Sequence, residues 1–357
     1  MTSHRTEPSL DDVAPSLAGV LGESAERVMV DRVEDLSPRI GSSRIFRVVA
    51  RSALPAAKGA ASFILKVSDW GATTLIEPDD PLVSRRERLF VESRLASRLP
   101  GGLRAPVTLG VDHVGDRTWL WMEDVGPAVE VVWDDAAALL ASLRNAQLHA
   151  LYLRAEPRLR CLGWLQREHF AAYASHVPSA HRNLDACSRH AIWSDLFTID
   201  EVARLHTLLD RSDAAIRELR TLPVTLVHGD FHIANLGIEP NGTLVLLDWA
   251  HVGIGPLGCD VATLVSLFHL FGGVSARPWT NVERELIAAY ADEIARLTDR
   301  RDLSAPIERA ATLWHRTWAL HLRLGPGLTY LLGDEQDFPS KRRTAADIYE
   351  GCTRALT

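Results

Sequence analysis

The sequence predicts an α+β fold with two lobes, a small one built on a five-stranded antiparallel sheet with one helix and a larger, mainly helical one. Two observations predict it. Short apolar segments with strand-like composition, separated by Gly, Pro and Ser, fill residues 27–123. Helical periodicity dominates after residue 134. A chain of 357 residues is long enough for both lobes, and we place their boundary between residues 125 and 126.

Composition and charge describe an ordinary globular protein and exclude several classes. The net charge of −7, from 46 acidic and 39 basic residues, argues against a nucleic-acid-binding surface. The four cysteines are too scattered for a zinc pattern or a disulfide framework, which favours a reducing compartment. No signal peptide is recognisable, and the longest apolar stretch, Val261 to Phe271, is too short to span a bilayer. We therefore expect a cytoplasmic protein with no membrane and no nucleic-acid partner.

The first lobe is expected to alternate helices and strands. A short amphipathic helix over residues 9–22 is opened by acidic residues, as helix starts prefer. A longer, charged amphipathic helix is expected over residues 81–99, in front of a Pro-Gly-Gly breaker. The five strands are expected at Arg27 to Val33, Arg44 to Ala50, residues 61–68, Ala105 to Val111 and Thr118 to Glu123.

Lysine is rare in this chain, which makes Lys66 conspicuous. Only three of the 39 basic residues are lysines, and Lys66 lies in an apolar strand. It could be an edge-strand lysine reaching for water, but its rarity favours phosphate binding. Glu87, on the following helix, could hold the lysine in place, although most helix glutamates are solvated surface charges.

Two connecting segments of the first lobe have backbone that could meet a ligand. Ser42 and Ser43 end a Gly/Ser turn whose N–H groups could cradle phosphates, and a plain hairpin turn is equally compatible with the pattern. Residues 125–128 join the lobes, and exposed backbone there could bond an adenine edge or simply connect.

The chemistry is expected between residues 223 and 260. A buried strand, Val224 to Val227, delivers Asp230 at its end, and a hairpin follows. The dipeptide Asn241-Gly242 predicts a two-residue type I′ turn, which would pair Asn235 directly with Asp248. Opposed residues have Cβ atoms roughly 4.5–5.5 Å apart. One amide and one carboxylate oxygen would then converge, as Mg²⁺ prefers.

Two further features have a structural interpretation. Asp260 begins a helix after a Gly-rich loop, and we expect it to be an N-terminal cap or a structural ligand of the loop. Trp314 and Trp318 are four residues apart, a spacing more typical of a helical core stripe than of a binding pocket.

Taken in order, these residues resemble the aminoglycoside phosphotransferase and choline kinase-like superfamily, which has the protein-kinase fold. The resemblance spans about residues 30 to 270, and its strength is the ordered combination of motifs. The motifs are the strand lysine Lys66, the pair Arg86-Glu87, the LxxED segment Leu120 to Asp124, the HGDxxxxN pattern from His228 to Asn235, and Asp248 after the hairpin.

The resemblance implies transfer of a phosphoryl group from ATP, or from GTP as an alternative donor, to a hydroxyl. It implies a bilobal protein-kinase-like fold in which residues 1–125 bind the nucleotide, while residues 126–357 carry the catalytic loop and acceptor site. Asp230 would engage the acceptor hydroxyl, and Asn235 with Asp248 would hold Mg²⁺.

The family's nucleotide site also maps onto this chain residue by residue. Lys66, held by Glu87, would grip the α- and β-phosphates. The Glu123 carbonyl and the Val125 amide would meet the adenine, and Ser42 and Ser43 would lie near the phosphates. His228 would support the catalytic loop through hydrogen bonds.

Departures from protein kinases favour a small-molecule acceptor. Trp249-Ala250 replaces Phe-Gly after the metal aspartate, and the 11 residues between Asp248 and Asp260 leave no room for a long activation segment. An aminoglycoside-like antibiotic, an amino alcohol or a sugar all remain open as acceptors. In the family, helices matching residues 156–220 and 279–340 shape the acceptor pocket. We expect a monomer or homodimer.

Two other functions compete with phosphoryl transfer. A metal-dependent phosphoesterase would use the histidines of HGDFH, but it needs an upstream DxH and a downstream GNH that the sequence lacks. A nucleotide-binding pseudokinase acting as an interaction module is the main alternative. It has no need to keep Lys66, Asp230, Asn235 and Asp248 together.

Overall fold

The computed structural model describes residues 8, 10–37, 43–52, 60–69, 82–115, 117–126, 130–167, 169–187, 189, 197–332 and 338–356. The chain forms two compact units. The first contains residues 1–96 and 105–126, and the second contains residues 97–104 and 127–357.

The first unit is built on a five-stranded sheet in which every neighbouring pair is antiparallel, as predicted. The strands are β1 (Val28–Asp35), β2 (Ser43–Ser52), β3 (Ala61–Asp69), β5 (Thr108–Val114) and β6 (Arg117–Glu123). Their order in the sheet is β1-β2-β3-β6-β5. Lys66, on β3, pairs with Ile45 on one side and Leu120 on the other, so it lies in the middle of the sheet and not at an edge.

Two helices accompany this sheet. Helix α1 (Leu10–Leu21) packs its apolar side chains with Phe46, Leu65 and Trp121 of the sheet into one buried core. The Trp121 indole donates to Ser16 Oγ at 2.9 Å, so the polar edge of the ring is satisfied.

Helix α2 (Val83–Glu92) is shorter than the predicted helix over residues 81–99. Arg94 adopts a left-handed φ of 61°, which ends the helix, and a 3₁₀ turn over Ala96–Arg98 follows. Residue 81 lies outside the described residues.

The second unit is mainly helical. Its first long helix begins at Asp134, whose carboxylate accepts from the amides of Ala136 and Ala137 as an N-cap. The helices are α3 (Asp135–Leu153), α4 (Glu156–Leu159), α5 (His169–Ala172), α6 (Val177–Cys187), α7 (Ile199–Asp210), α8 (Ser212–Leu219), α9 (Cys259–Leu267), α10 (Trp279–Thr298), α11 (Ser304–Trp314), α12 (Leu320–Leu322), α13 (Leu328–Leu332) and α14 (Phe338–Leu356). Two π-helical segments, His315–Ala319 and Arg323–Gly327, link α11, α12 and α13.

Two small sheets carry the candidate site. Strand β7 (Val224–Val227) pairs antiparallel with β10 (Gly253–Pro256). The other sheet consists of β4 (Leu103–Arg104), β8 (Leu236–Ile238) and β9 (Leu244–Leu246). Its order is β4-β9-β8, in which β4 pairs with β9 in parallel and β8 pairs with β9 as a hairpin.

The hairpin between β8 and β9 has a different turn from the one predicted. The Gly242 amide donates to the Glu239 carbonyl at 2.8 Å, and the Glu239 amide donates to Thr243 at 2.9 Å, so the loop has three residues. Gly242 has a φ of 79°, whereas Asn241 does not adopt positive φ. Pro240, with its fixed φ, suits the second position of a type I turn, and Gly242 supplies the left-handed residue that follows.

The longer loop shifts the register by one residue. Leu236 pairs with Leu246, and the Leu247 amide donates to the Asn235 carbonyl at 2.9 Å. The predicted direct pairing of Asn235 with Asp248 was therefore wrong, since Asn235 lies opposite Leu247.

The tryptophan pair belongs to the core, in agreement with its helical spacing. Trp314 and Trp318 are each at most 3% exposed, and their rings stack with centroids 5.3 Å apart. Among the helices of the described residues, none combines the length and the apolar character needed to cross a membrane.

Candidate active site

The loop after β7 requires a glycine at its centre. Gly229 has a φ of 84°, a region that L side chains rarely adopt. A Cβ atom there would lie 2.1 Å from the His251 carbonyl oxygen. The close approach of two backbone segments therefore depends on Gly229, and the next residue is the predicted catalytic Asp230.

Asp260 holds this loop from behind. Its Oδ2 accepts from the His228 amide at 2.8 Å, and its Oδ1 accepts from the Gly229 amide at 3.0 Å. The side chain is almost completely buried in the first turn of α9, whose N-cap is Gly258. Of the two expected roles, the structure shows the loop ligand and not the cap.

A buried network supports Asp260 in turn. His149 Nε2 lies 3.1 Å from Asp260 Oδ2, and His149 Nδ1 lies 2.6 Å from the Tyr290 hydroxyl. Since an ionised carboxylate can only accept hydrogen bonds, the imidazole donates one from Nε2. Its Nδ1 then accepts a hydrogen bond from the Tyr290 hydroxyl. Burial would raise the pKa of Asp260, but the hydrogen bonds from His149 and from the His228 amide lower it overall. Burial raises the pKa of Tyr290 well above its usual value, so the phenol stays a donor.

His228 connects the loop to the hairpin. Its Nε2 lies 2.9 Å from the Leu247 carbonyl, and its Nδ1 accepts from the Asp230 amide at 3.3 Å. Burial lowers the pKa of His228, against the opposing charges of Asp260, Asp230 and Asp248, so the ring is neutral at neutral pH. A neutral imidazole with one donor and one acceptor suits these two backbone partners.

The Asp230 carboxylate is held at both oxygens. Asn235 Nδ2 donates to Oδ2 at 2.8 Å, and His232 Nε2 lies 3.2 Å from Oδ1. Burial would raise the pKa of Asp230, but the nearby imidazoles of His232, His251 and His228 outweigh it and hold the pKa well below its usual range. Its side chain is still 28% exposed. An ionised, oriented and accessible carboxylate is suited to accept a hydrogen bond from a substrate hydroxyl.

The two predicted metal ligands have oxygen atoms that suit Mg²⁺. Because the Asn235 Nδ2 group donates to Asp230, its Oδ1 is the atom left to bind a cation. Asp248 leaves the strand in a left-handed conformation, φ 55° and ψ 77°, and its Oδ1 accepts from the Ala250 amide at 3.3 Å. An amide oxygen and a carboxylate, with waters and phosphates, form a donor set typical of Mg²⁺.

The predicted lysine and glutamate meet within the first unit. Lys66 Nζ lies 2.6 Å from Glu87 Oε2, and both side chains are nearly buried. Ser43 Oγ lies 2.7 Å from Ser68 Oγ, the residue paired with it across β2 and β3. Ser42 lies outside the described residues.

The backbone after β6 is held by Asp124, the last residue of the LxxED motif, to which sequence reasoning gave no role of its own. The Asp124 carboxylate accepts from Arg47 at 2.8 Å and from Ser62 at 2.6 Å, and its other oxygen accepts from the Gly126 amide at 3.0 Å. The Glu123 amide donates to the Val107 carbonyl at 2.9 Å. The Val125 amide donates no hydrogen bond to any residue that the structure describes.

Each unit therefore gathers its own set of predicted residues. Lys66 and Glu87 are in contact in the first unit, and Asp230 and Asn235 are in contact in the second. Sequence reasoning missed His149, Tyr290 and the partners of Asp124. The available signal was the polar pair Asn145 and His149, spaced four residues apart and therefore on one face of α3.

The fold and the loop that carries Asp230 define a protein of the kinase-like phosphotransferase class. The chain belongs to the phosphotransferase enzyme family, whose model matches residues 39–298. Membership confirms the resemblance and the predicted enzyme class, a small-molecule phosphotransferase.

Two solved structures share the fold at low sequence identity. A spectinomycin phosphotransferase in complex with ADP and spectinomycin is 12% identical, with a TM-score of 0.59 over 99% of each chain. An amicoumacin kinase in complex with AMP-PNP, Ca²⁺ and its antibiotic is 14% identical, with a TM-score of 0.53 over 90% of this chain and 88% of that chain. A comparison with curated protein sequences gives no match.

Proposed function

We propose that this phosphotransferase moves the γ-phosphate of ATP to a hydroxyl group of a small molecule and requires Mg²⁺. The observation that carries the proposal is the state of Asp230. Its carboxylate is ionised, anchored by Asn235 and His232, and accessible at the end of β7.

Asp230 would accept a hydrogen bond from the acceptor hydroxyl and aim its oxygen at the γ-phosphorus. The bond from that oxygen to phosphorus forms as the bond to the β-phosphate oxygen breaks, and ADP leaves. Because the pKa of Asp230 is held low, the carboxylate is a weak base. Its main contribution is orientation, and the hydroxyl proton moves to it late, as expected for a loose transition state.

The first unit supports the nucleotide role. Lys66, fixed by Glu87, would donate to the α- and β-phosphate oxygens. The Glu123 carbonyl and the Val125 amide would bond the adenine edge, with Asp124 holding the backbone there. Ser42 and Ser43 would lie near the phosphates.

Asn235 and Asp248 would hold Mg²⁺, which supplies neutralisation of the phosphate charge when bound. Asn235 would serve two functions in this arrangement, because its Nδ2 group fixes Asp230 while its Oδ1 would be left to bind the cation.

The acceptor is proposed only as a class. One structural neighbour is a spectinomycin phosphotransferase with ADP and spectinomycin, and another is an amicoumacin kinase. An antibiotic with free hydroxyls is therefore the first acceptor to test, followed by amino alcohols and sugars. GTP remains an alternative donor. We further propose a cytoplasmic monomer or homodimer without nucleic acid, and the four free cysteines fit a reducing compartment.

The decisive experiment compares the wild type with Asp230→Ala. ADP release would be measured against a panel of aminoglycosides, other hydroxylated antibiotics, amino alcohols and sugars. We expect transfer to fall by about 10²–10⁴-fold, with ATP affinity by calorimetry largely unchanged. Near-normal turnover in the variant would refute the assignment. If no acceptor and no Asp230-dependent ATP hydrolysis were found, the interaction-module alternative would be supported.

A further inference from the structure

The His232 imidazole contacts Asp230 at one nitrogen, while its other nitrogen is buried. Nε2 lies 3.2 Å from Asp230 Oδ1, and the His232 amide donates to the Asp230 carbonyl at 3.0 Å. Within the described part of the chain, Nδ1 has no hydrogen-bond partner. The ring torsion of histidine has a broad energy profile, and an oriented imidazole is usually held by a bond at its second nitrogen. The orientation of this ring therefore needs a different cause.

The direction of the bond between His232 and Asp230 follows from the neighbouring amide. Asn235 Nδ2 has two hydrogens, and Asp230 offers it two acceptors, its carbonyl at 3.1 Å and its Oδ2 at 2.8 Å. His232 Nε2, at 3.3 Å from the same Nδ2, is the most distant of the three contacts. Since an ionised carboxylate only accepts, Nε2 carries a proton and donates to Asp230 Oδ1. Nδ1 then has a lone pair and no proton.

Phe271 packs flat against this imidazole. The two ring planes differ by 11° and the ring centroids are 4.2 Å apart, which is a stacked contact. His232 is 7% exposed and Phe271 is 42% exposed, so the phenyl ring is the outer member of the pair. Turning the imidazole about its ring torsion would drive its edge into the phenyl face. The stack therefore restricts the one torsion that the hydrogen bonds leave soft.

Phe271 is itself fixed by the turn that ends α9. Its amide donates to the Leu267 carbonyl at 3.1 Å, and the Gly273 amide donates to the Phe268 carbonyl at 2.9 Å. Asp260, in the first turn of the same helix, accepts from two amides of the loop that carries Asp230. Helix α9 and its final turn therefore contact this loop twice, once through a carboxylate and once through a phenyl ring.

We propose that Phe271 is a positioning residue for the Asp230 carboxylate and acts through His232. The stacked phenyl ring does for this imidazole what a hydrogen bond at Nδ1 does for other oriented imidazoles. Asn235 holds one carboxylate oxygen, and His232 Nε2, kept in place by the stack, holds the other. The inference rests on the proposed role of Asp230 in phosphoryl transfer.

The activity test uses the full chain with Mg-ATP and water as the acceptor, and measures the ADP release that depends on Asp230. Phe271→Ala should lower kcat about 5–10-fold, the size expected for a lost aromatic stack, with KM for ATP unchanged. Phe271→Tyr keeps the ring and should keep kcat. Phe271→Leu keeps apolar volume without a flat face and should behave like alanine. Val274→Ala, an exposed residue three positions later, should change neither constant.

A double-mutant cycle tests the route through His232. His232→Ala should itself lower kcat, and Phe271→Ala added to it should cost nothing further, because no imidazole is left to orient. Additive losses would overturn the proposal, since Phe271 would then act on another group. A Phe271→Leu variant with wild-type kcat would also overturn it, because apolar cover alone would suffice.

Nitrogen NMR of the histidine-labelled chain reports on the imidazole without turnover. The His232 signals are assigned by their loss in His232→Gln. The Nε2 proton should be visible in the wild type and in Phe271→Tyr, because its bond to Asp230 slows exchange with water. It should disappear by exchange in the alanine and leucine variants of Phe271. A proton that stays visible in both would overturn the proposal. ADP release that survives Asp230→Ala, with the NMR result as expected, would refute the transfer role of Asp230 and leave the orienting contact established.

Discussion

The two units place their candidate residues by different means. In the first unit, Lys66 and Glu87 extend from a regular strand and a regular helix and meet as side chains. In the second unit, Asp230 and Asp248 lie on irregular backbone, and left-handed residues and a buried polar network set their positions. The comparison teaches that the candidate residues of the first unit depend on a side-chain pair and those of the second on backbone geometry.

The largest expected effect is in the second unit, where backbone geometry positions Asp230. Gly229→Ala adds a Cβ that would lie 2.1 Å from the His251 carbonyl, so the loop must shift and displace Asp230. A displacement of about 1 Å can cost 10²-fold in rate, and we expect kcat to fall by at least that factor.

Gly242→Ala is the matched control. It has a similar positive φ of 79° but no atom within 4 Å of the added Cβ. It should pay only the backbone strain of about 1–2 kcal/mol and keep near-normal kcat. Equal losses of activity in both variants would show that strain, and not the close approach, decides the effect.

The first unit should respond differently, because Lys66 and Glu87 can be replaced together. Glu87→Ala removes the carboxylate that lies 2.6 Å from the buried Lys66 ammonium, and breaking a buried pair costs about 3–5 kcal/mol. The double variant Lys66→Met with Glu87→Met should recover most of this stability by packing, yet bind ATP poorly. Hydrogen exchange of the β3 amides and calorimetry with ATP would measure the two properties.

The control for the pair is an exposed one. Arg309 and Glu218 form an ion pair in which both side chains are more than 40% exposed. Glu218→Ala should therefore cost at most about 1 kcal/mol. A double variant at Lys66 and Glu87 that stays as unstable as Glu87→Ala would contradict the separation of stability from binding.

Acid should distinguish the units, because the buried histidines of the described chain all lie in the second. Burial, with a smaller effect of the His176 charge, lowers the pKa of His321 to about 3. As pH falls from about 6.5 toward 3, His321 binds a proton in the unfolded chain but stays neutral in the folded chain. The free energy of unfolding therefore decreases. At pH 5 the loss is about 2 kcal/mol.

Hydrogen-exchange free energies at pH 7 and pH 5 would check this. Protection should fall around α12 and stay nearly constant in β3, whose unit has one described histidine, the exposed His113. His321→Gln should remove the share that His321 contributes around α12, while His228 and His315, whose pKa values burial also lowers, keep the rest of the difference. A uniform loss across both units would contradict it.

The smallest expected effect tests the network behind the loop. Tyr290→Phe removes the hydroxyl that donates to His149 at 2.6 Å, a bond that contributes on the order of 1 kcal/mol. We expect kcat to fall by less than about 10-fold, since His149 keeps its contact with Asp260, while KM for ATP stays unchanged. Tyr152→Phe, whose hydroxyl lies 3.5 Å from the Arg98 carbonyl, is the control. A larger change in KM than in kcat would argue against a role through the loop.

Much of the first unit could be predicted from the sequence, because period-two alternation and composition determine a regular sheet. The same reasoning placed Lys66 and Glu87, whose contact the structure shows. The order of motifs around Asp230 was equally visible. These predictions rest on local patterns, and local patterns are what a sequence displays directly.

The features that the sequence did not predict depend on competition between turn types or on contacts between residues far apart in the chain. The turn at Asn241-Gly242 was assigned from its best dipeptide, but Pro240 favours a type I turn one residue earlier and moves the register. His149 reaches Asp260 across 111 residues and Tyr290 across 141, contacts that only the folded chain reveals.

The short strand β4 has a consequence for dividing the protein. Leu103–Arg104 precedes the last two strands of the first unit in the chain, yet it pairs with β9 of the second. The polypeptide therefore passes between the units three times, and no single cut separates them. A fragment beginning at residue 127 would lack β4 and would leave one edge of β9 unpaired. Unpaired strand edges promote pairing between molecules. Producing the second unit alone therefore requires residues 97–104 to be joined to the fragment.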